Sequence, residues 1–449
     1  MSLSSTQAKP RSAAAVVFLC FVAIVFDGYD LVIYGAITPA LLKYEPWGLT
    51  PVTAGAIGSY ALAGMFFGAI LVGYLTDVLG RRKVLIGSIA FFSVLMLLTA
   101  AAPSAELFGV FRFLSGLGLG GVIPTAIALT VEYSAAAKRN FNNAVMFSGY
   151  SVGGVLAALL SLALLPAVGF RGMLAIGGLP LVLVLPFLFR FLPESPAFLV
   201  GRGRISEARA LVERYGIEMP AASVLGAPAE RNRFRTLFTG RLLAATLLFC
   251  VAGISGQILV YGLNTWLPQL MILAKYSLAS SLTFLLTVNV GAVVGVILSS
   301  RLADRFGPQR VTAVSFASSG IALVLMGTGV MPIVVMYVLV AVVGFGSVGA
   351  QILVNGFVAT YFPNRVRATA LGVTLGVGRI GAVLAISGGG VLVAAALGTF
   401  VNFSVWAIAA VVGVAAVLLV PPADRVRAAV PAGGTSGDVD EPEASGIVH

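Results

Sequence analysis

The stretch Phe26-Asp27-Gly28-Tyr29-Asp30 places two carboxylates in the middle of the first long apolar run of the chain. A charged side chain at membrane depth costs on the order of a few kcal/mol, and such residues are usually retained for function. Asp27 and Asp30 are three residues apart, so a helix places both on one face. The run therefore predicts a membrane-spanning helix that carries a functional acidic site.

The composition of the whole chain indicates a membrane protein. Of its 449 residues, 59% are hydrophobic and only 10% are charged, and the mean hydropathy is +1.02. That leaves too little polar surface to cover a soluble globule of this size. The net charge of +11 lies in short basic clusters between apolar runs, where membrane orientation explains it better than nucleic-acid binding does. We expect a polytopic membrane protein without a nucleic-acid partner.

Cysteine and histidine usage argues against several kinds of site. Cys20 and Cys250 lie far apart in apolar runs, which favours two small buried hydrophobic residues over a disulfide framework or a metal cluster. His449 is the only histidine, which excludes His-based zinc or triad chemistry. No cofactor or metal is expected. The first run lacks a small-residue cleavage site, so we expect its helix to stay in the lipid bilayer.

Runs of about 20 apolar residues predict twelve membrane spans. They lie at about 14–40, 52–75, 83–101, 107–133, 141–165, 171–191, 241–270, 279–303, 309–329, 331–360, 367–396 and 398–420. We expect an N-terminal six-helix bundle over 1–192, a linker with short surface helices over 193–240, a C-terminal bundle over 241–420 and a disordered tail over 421–449. In the linker, Ile205 to Tyr215 has the pattern of an amphipathic helix.

The positions of lysine and arginine predict the orientation of the chain. The two termini and the loops after the even-numbered spans collect 23 of the 28 basic residues, whereas the loops on the other side carry Lys43, Arg171 and Lys275. The positive-inside rule then places both termini in the cytoplasm, in a multi-pass protein of the cell membrane.

An internal repeat supports the division into halves. Gly73 to Lys83, between the second and third spans, matches Ser300 to Arg310, between the eighth and ninth, at a displacement of 227 residues. Asp77 corresponds to Asp304 in this alignment. Two halves of six helices with the same orientation are typical of parallel repeats in secondary transporters, where the substrate site lies between the halves near the midplane.

Three motifs resemble those of a known family. Gly73 to Lys83 resembles the loop signature G-x-x-x-D-x-x-G-R-R-K of the major facilitator superfamily, and Pro193-Glu194-Ser195-Pro196 is similar to an element of its sugar, metabolite and aromatic-acid branches. Asp27-Gly28-Tyr29-Asp30 resembles the D-G-x-D motif of the aromatic acid:H+ symporter family. The resemblance covers nearly the whole chain. It implies an all-α integral membrane protein with twelve transmembrane helices in two pseudo-symmetric bundles, and a monomeric carrier.

Two arginines lie within the predicted spans. Arg112 resembles the R-x-x-x-G pattern of proton symporters in that superfamily, which implies a part in proton coupling with Asp27 and Asp30. The alternative is an arginine that reaches the membrane surface. Arg379 lies twelve residues into the eleventh span among glycines, where the repeat has Ser151. Because a guanidinium binds a carboxylate with two parallel hydrogen bonds, Arg379 is the candidate anchor of an anionic substrate.

The four intramembrane charges predict symport. With both aspartates ionised and both arginines protonated, the empty site is neutral; a monocarboxylate makes it negative, and one proton on Asp27 or Asp30 restores neutrality. Because unpaired charge in a low-dielectric cavity is costly, anion and proton should cross together. Which aspartate carries the proton is left open.

Further polar and aromatic residues are candidates for substrate contact. Amides and hydroxyls suit ring substituents, and aromatic faces suit a benzene ring; interhelical hydrogen bonds and core packing are the alternatives. With Asp30 and Arg379, the candidates are Tyr150, Gln257, Tyr261, Asn289, Gln351 and Asn355.

The loop signature implies gating between the halves. Asp77 lies at the end of the second span, where a carboxylate can cap the N-terminus of another helix. The residues assigned to gating are Gly73, Asp77, Gly80, Arg81, Arg82, Glu132, Arg139 and Asp304.

The function predicted is proton-coupled import of a small aromatic carboxylate such as benzoate, hydroxybenzoate or protocatechuate. The alternatives are symport of muconate, a dicarboxylate or a sugar, and a membrane sensor without transport. A sugar would not need Arg379, and an enzyme is disfavoured because the chain lacks a nucleophile set with histidine.

Overall fold

The computed structural model is all-helical in the part of the chain that it describes, which comprises residues 13–135, 138–219, 237–238 and 240–422. The all-α fold class predicted from the sequence is confirmed. The predicted disordered tail, apart from residues 421 and 422, and the later part of the predicted linker lie outside the described residues.

The helices fall into two groups joined by the linker. The first group comprises α1 Ala13–Leu42, α2 Pro51–Leu79, α3 Arg81–Ala100, α4 Ala105–Gly120, α5 Val122–Glu132, α6 Arg139–Ile176, α7 Pro180–Leu183 and α8 Leu185–Phe191. The linker carries α9 Pro196–Gly201 and α10 Ile205–Tyr215. The second group comprises α11 Gly240–Leu273, α12 Leu278–Phe306, α13 Pro308–Gly327, α14 Ile333–Tyr361, α15 Asn364–Ala394 and α16 Thr399–Leu418.

The two repeated loops turn at equivalent glycines. Gly80 between α2 and α3 has φ +90°, and Gly307 between α12 and α13 has φ +87°. This backbone conformation favours glycine because the residue has no Cβ. The repeat seen in the sequence therefore corresponds to the same sharp helix-to-helix turn in each half.

The sixth predicted span is not a continuous helix. By length and composition, eleven helices of the described residues can cross a membrane, α4 and α5 together forming one of them, and Pro180–Phe191 is a shorter apolar helix. The chain turns at Gly169, which has φ +64°, and the helix is interrupted again after Ile176. The glycines Gly177 and Gly178 begin this interruption, and Pro180 and Pro186 lack the backbone donor that a continuous helix needs. The sixth predicted span, 171–191, is therefore formed by the end of α6 and the short helices α7 and α8.

The two halves meet at one end of the membrane helices. Gly35 of α1 packs on the backbone of Asn264 in α11. The Ser387 hydroxyl of α15 donates to the Ser59 hydroxyl of α2 over 2.9 Å. These two pairs define what we call the distal contact, because it lies away from the face that carries Arg81. That other face is called the basic face.

The glycines of α2 and α15 have different surroundings along the two helices. A Cβ added to Gly73 of α2, or to Gly372 or Gly376 of α15, would meet no atom within 4 Å. The same helices are in contact near Gly55, where an added Cβ would lie 2.8 Å from the carbonyl oxygen of Ile386. The observed contacts between α2 and α15 therefore lie at the distal contact.

Candidate functional site

Asp27 and Asp30 lie at the middle of α1, at the boundary between the halves. Their relative exposures are 2% and 3%. Gly28, between them, packs directly on the backbone of Tyr150 in α6, and any side chain there would overlap it. The glycine therefore allows α1 and α6 to approach closely and brings Tyr150 beside the two carboxylates.

Arg112 of α4 forms a buried ion pair with Asp30. Its Nη1 donates to Asp30 Oδ1, and its guanidinium carbon lies 5.2 Å from the centre of the Tyr34 ring. The two charged side chains are only 3% and 5% exposed. Arg112 does not reach the membrane surface, so the alternative considered from the sequence is wrong. Removing one partner of such a buried pair costs about 3–5 kcal/mol because it leaves an unpaired charge.

Arg379 of α15 faces this site from the second half. Among the described residues, its Nη1 is sealed from solvent without a hydrogen-bond partner, and so is Oδ2 of Asp27. The charges of Arg379 and Asp27 interact across the boundary without forming an ion pair in the described part of the chain. The site thus holds one arginine in an ion pair and one outside the ion pairs of the described residues. Each keeps a buried nitrogen without a hydrogen-bond partner there, Nε in Arg112 and Nη1 in Arg379.

Two tyrosines join the halves beside these charges. The Tyr150 hydroxyl of α6 donates to the Tyr261 hydroxyl of α11 over 3.2 Å. Both hydroxyls interact electrostatically with Asp27 and Arg379. Because Tyr261 accepts this bond, its own proton is available for an anion.

The cavity around these groups is too small for an aromatic ring. Its volume is about 20 Å³, and its polar lining includes the two aspartates, Arg112, Tyr34, Tyr150 and Tyr261. Such a volume holds about one water molecule, whereas a cavity of roughly 150 Å³ admits benzene. An aromatic substrate could occupy this site only after the surrounding helices move.

The predicted amides divide between two arrangements. Asn289 donates to the Asn264 side chain and to the Leu285 carbonyl, each over 2.9 Å, and it does not line the cavity. For Asn289, the structure therefore supports the alternative of an interhelical hydrogen bond. Gln257 packs 3.4 Å from the Cβ position of Gly378, the residue before Arg379.

The amides of α14 pair with each other. Gln351 donates to Asn355 Oδ1 over 3.4 Å, and Gln351 Oε1 lies against Gly256 of α11. Ligand contact by Gln257, Gln351 and Asn355 stays a prediction.

Three of the predicted gating residues, Arg81, Arg82 and Glu132, form a network with the linker. Arg81 pairs with Glu132, and Arg81 Nη1 also donates to the Ser195 hydroxyl over 2.9 Å. Ser195 donates to Glu132 Oε2 over 2.5 Å. Glu194 Oε1 accepts from the backbone nitrogen of Arg82 over 3.0 Å. The network therefore ties the start of α3 to the end of α5 and to the linker.

Two predicted gating residues have other contacts. Glu194, rather than Asp77, accepts from the first turn of α3, because Asp77 lies on α2 before the Gly80 turn while Glu194 returns from the linker. The backbone carbonyl of Asp77 accepts from Arg202 over 3.2 Å. Arg139 pairs with Glu218 over 3.1 Å and so connects α6 to the linker instead of joining the Arg81–Glu132 pair.

The remaining two gating candidates lie in open surroundings. Gly73 has free space at its Cβ position, and Asp304 is exposed on the basic face of the second half. Their roles stay predictions.

Tyr34, Glu194 and Ser195 were missed as site residues. Tyr34 lies one helical turn after Asp30, a spacing that places both on one face. Ser195 precedes Pro196, and its hydroxyl accepts from the Phe198 backbone nitrogen, so the serine–proline pair was readable as a helix start. The sequence did not predict the side-chain partners of these residues, because every partner lies far away in sequence.

Comparison with known proteins agrees with this geometry. The model of the Major Facilitator Superfamily matches residues 20–386, and again 289–439. The chain is 39% identical over 417 residues to the benzoate transport protein of Acinetobacter baylyi, covering 90% of this chain and 89% of that protein. It is 38% identical over 399 residues to the gentisate transporter of Corynebacterium glutamicum, covering 88% and 85%.

A solved structure shares the fold. The inward-open xylose transporter XylE from E. coli superimposes with a TM-score of 0.75 at 16% identity, covering 93% of this chain and 99% of that one. The two relatives are named as transporters, and the prediction that the chain is not an enzyme is confirmed. The chain belongs to the major facilitator superfamily, and within it to the aromatic acid transporter branch that Asp27-Gly28-Tyr29-Asp30 indicates.

Proposed function

We propose that this protein is a monomeric proton symporter that imports a small aromatic carboxylate by alternating access, with both termini in the cytoplasm. Relatives named for benzoate and gentisate support the class of substrate. The basic face carries Arg81 and Arg82, and the positive-inside rule supports placing it in the cytoplasm. The observation that carries the proposal is the unpartnered Nη1 of Arg379 opposite the unpartnered Oδ2 of Asp27.

Arg379 is the proposed anchor of the substrate carboxylate. A guanidinium with a free donor in a nearly closed site suits an anion far better than a neutral sugar. Tyr261 adds a hydroxyl donor on the same side of the site, since its oxygen already accepts from Tyr150. Asp27 then acts as the counter-charge of Arg379 when no substrate is bound.

The proposed proton carrier is Asp30. Its carboxylate binds either the proton or the guanidinium of Arg112, so the ion pair is the form that remains once the proton has left. The empty site sums to zero charge, a bound monocarboxylate makes it negative, and a proton on Asp30 restores neutrality. Because net charge in such a site is costly, the carrier with bound substrate changes conformation only when the carboxylate and the proton are both bound.

The closed distal contact supports an inward-facing state. The halves would exchange this state for one in which the distal contact opens and the basic face closes, as expected for parallel repeats with a site between them. Such a movement would also provide room for the ring, which the present cavity of about 20 Å³ lacks.

Reconstituted uptake tests the proposal. Proteoliposomes should accumulate labelled benzoate, gentisate or 4-hydroxybenzoate when their interior is alkaline, and not when the pH gradient is abolished. Arg379→Gln should raise KM by about 10- to 100-fold, since a hydrogen bond to a charged group is worth about 1.5–3 kcal/mol. Arg379→Lys keeps the charge but not the planar guanidinium, so its KM should lie between those of the unchanged protein and Arg379→Gln.

Two outcomes would contradict the proposal. If none of the tested aromatic acids accumulates while unlabelled muconate or a dicarboxylate is transported, the substrate class is wrong. If Arg379→Gln leaves KM unchanged for an accumulated acid, the carboxylate is bound elsewhere.

A further inference from the structure

Tyr34 lies between the buried ion pair and the surface on which the halves meet. On one side, the Arg112 guanidinium stacks on its ring at 5.2 Å from the ring centre. On the other side, its hydroxyl donates to the Ala54 carbonyl of α2 over 2.5 Å. The ring is 97% buried by these contacts, since the residue is only 3% exposed. Tyr34 therefore cannot shift without moving either Arg112 or α2.

The segment of α2 that Tyr34 contacts also touches the second half. A Cβ added to Gly58 would lie 2.5 Å from Tyr34 Cε1 and 2.8 Å from Ile386 Cγ2 of α15. One residue further, Ser59 accepts the hydrogen bond of Ser387 in the distal contact. A single turn of α2 is thus held between the Tyr34 ring and α15.

These contacts form a continuous path of packed groups. It runs from Asp30 through Arg112 and Tyr34 to α2, and from α2 to the distal contact. When a proton neutralises Asp30, Arg112 loses its anion, and the electron-rich face of the Tyr34 ring is the cation partner that remains on the described path. A shift of the guanidinium then acts on the ring, and the hydroxyl bond transmits the shift to α2.

We propose that Tyr34 is the positioning residue that couples the Asp30–Arg112 pair to the distal contact. This inference rests on the proposed proton symport and adds to it the route by which proton binding at Asp30 opens or closes one face of the carrier. Tyr34 itself neither binds substrate nor exchanges the proton. It converts a change of charge partner into a displacement of α2.

Other titratable groups around the pair belong to neighbouring helices. Asp27 and Tyr29 share α1 with Asp30, and Tyr29 interacts electrostatically with it. Tyr150 approaches from α6, Tyr261 from α11, and Arg379 acts from α15. At this cavity, α2 presents only apolar residues and glycine, and the described contact from α3 is the Met96 sulfur, 3.9 Å from Arg112 Nη1. Among the residues that line the cavity, Tyr34 is the one that contacts both Arg112 and the Ala54–Gly58 turn of α2.

The test compares two tyrosines of α1. Tyr29 is equally buried, at 3% exposure, and its hydroxyl donates to the Met173 carbonyl over 2.7 Å within the first half. Tyr34→Phe and Tyr29→Phe therefore each remove one buried hydroxyl bond, but only the former removes a bond to α2 where it meets the second half. Each variant is reconstituted, and pH-driven accumulation is compared with exchange of labelled for unlabelled substrate at equal pH.

Tyr34→Phe should lower the ratio of pH-driven accumulation to exchange by about tenfold, the change expected for one buried hydrogen bond. It should also flatten the pH profile of uptake. Tyr29→Phe should leave the ratio and the profile unchanged. An unchanged ratio in Tyr34→Phe, or an equal loss in both variants, would overturn the inference.

A second readout does not depend on transport. A cysteine replacing Ser387 is labelled with a membrane-impermeant thiol reagent, against the parent protein as background for Cys20 and Cys250. Labelling should depend on pH in the otherwise unchanged protein and lose this dependence with Tyr34→Phe. If the protein transports no aromatic acid, the proposed function fails while labelling still tests the path. If transport is intact and labelling depends on pH equally with and without Tyr34→Phe, the proposed path through Tyr34 is contradicted while the proposed function stands.

Discussion

The first helix of each half carries a similar six-residue segment, which begins with a charged residue in one half and a neutral residue in the other. In α1 it reads Asp30-Leu31-Val32-Ile33-Tyr34-Gly35, and in α11 it reads Gln257-Ile258-Leu259-Val260-Tyr261-Gly262, again displaced by 227 residues. A neutral amide in the second half thus replaces the carboxylate of the first. The tyrosine and the glycine are retained, but they have different neighbours.

The difference extends to the partners of these residues. Asp30 pairs with Arg112, and Leu339 stands at the corresponding position of the second half. The second half instead has Arg379, whose Nη1 is unpartnered in the described part of the chain. One half therefore contains a compensated pair that suits proton exchange, and the other contains a single cation that suits a substrate anion. If the proposed function is correct, the comparison teaches that the two tasks of a symporter are divided between the halves.

The largest expected effect comes from making α1 resemble α11. Asp30→Gln leaves Arg112 buried without an anion, which costs about 3–5 kcal/mol, or more than about a hundredfold in an equilibrium. We expect pH-driven accumulation to be lost and thermal stability in detergent to fall. Uptake in proteoliposomes and a melting curve measure the two effects.

The double variant Asp30→Gln with Arg112→Leu separates the effect on accumulation from the effect on thermal stability. Replacing both members of a buried pair by neutral residues is often neutral for stability. The melting temperature should therefore return toward that of the wild type while accumulation remains absent. Restored accumulation in the double variant would show that Asp30 does not carry the proton.

A smaller effect is expected at the two glycines. A methyl group on Gly35 would overlap the Asn264 carbonyl oxygen across the boundary, whereas one on Gly262 would overlap the Trp406 ring within the second half. Overpacking costs about 1–3 kcal/mol. Gly35→Ala should therefore slow exchange by about 5- to 150-fold while stability is kept, because it prevents the distal contact from closing.

Gly262→Ala should act on stability instead. Its melting temperature should fall by about 2–4 °C for each kcal/mol of overpacking, with exchange by the folded fraction largely preserved. Equal effects of the two alanines on exchange would contradict the different places assigned to the glycines.

The smallest effect is expected from Tyr261→Phe, the counterpart of Tyr34→Phe. It removes the 3.2 Å hydroxyl contact with Tyr150 and a donor beside Arg379. A neutral hydrogen bond is worth about 0.5–1.5 kcal/mol, so KM should rise by about tenfold or less. The ratio of pH-driven accumulation to exchange should not change. A lowered ratio would mean that the tyrosines of both halves take part in coupling.

The sequence predicted those features that depend on local pattern. Apolar runs of sufficient length gave eleven of the membrane helices, and the loop glycines Gly80 and Gly307 were found where the repeat placed them. The interruptions of the sixth span were not predicted, because hydropathy does not register the glycines Gly177 and Gly178 or the prolines Pro180 and Pro186. Length and hydrophobicity decide whether a segment enters a membrane, whereas backbone donors decide whether it remains one helix.

The candidate site was predicted in its charges but not in its pairing. Intramembrane cost singles out Asp27, Asp30, Arg112 and Arg379 from the sequence alone. Arg112 pairs with Asp30, whereas Nη1 of Arg379 has no hydrogen-bond partner among the residues that the structure describes; both facts depend on how helices distant in sequence pack. Tyr34 and Asn289 show the same limit, because their environments are set by α2 and α11 rather than by α1 and α12.

The contacts of Arg82 and Gln309, in the first turns of α3 and α13, have a consequence for biogenesis. Arg82 donates to the Phe189 carbonyl near the end of α8, and Gln309 donates to the Val417, Leu418 and Val420 carbonyls at the end of α16. In each half, the start of the third membrane helix thus holds the end of the last one. All of these partners for the first half have left the ribosome before α11 is made. The first half can therefore complete its bundle during synthesis, and two separately expressed halves should assemble into a working carrier.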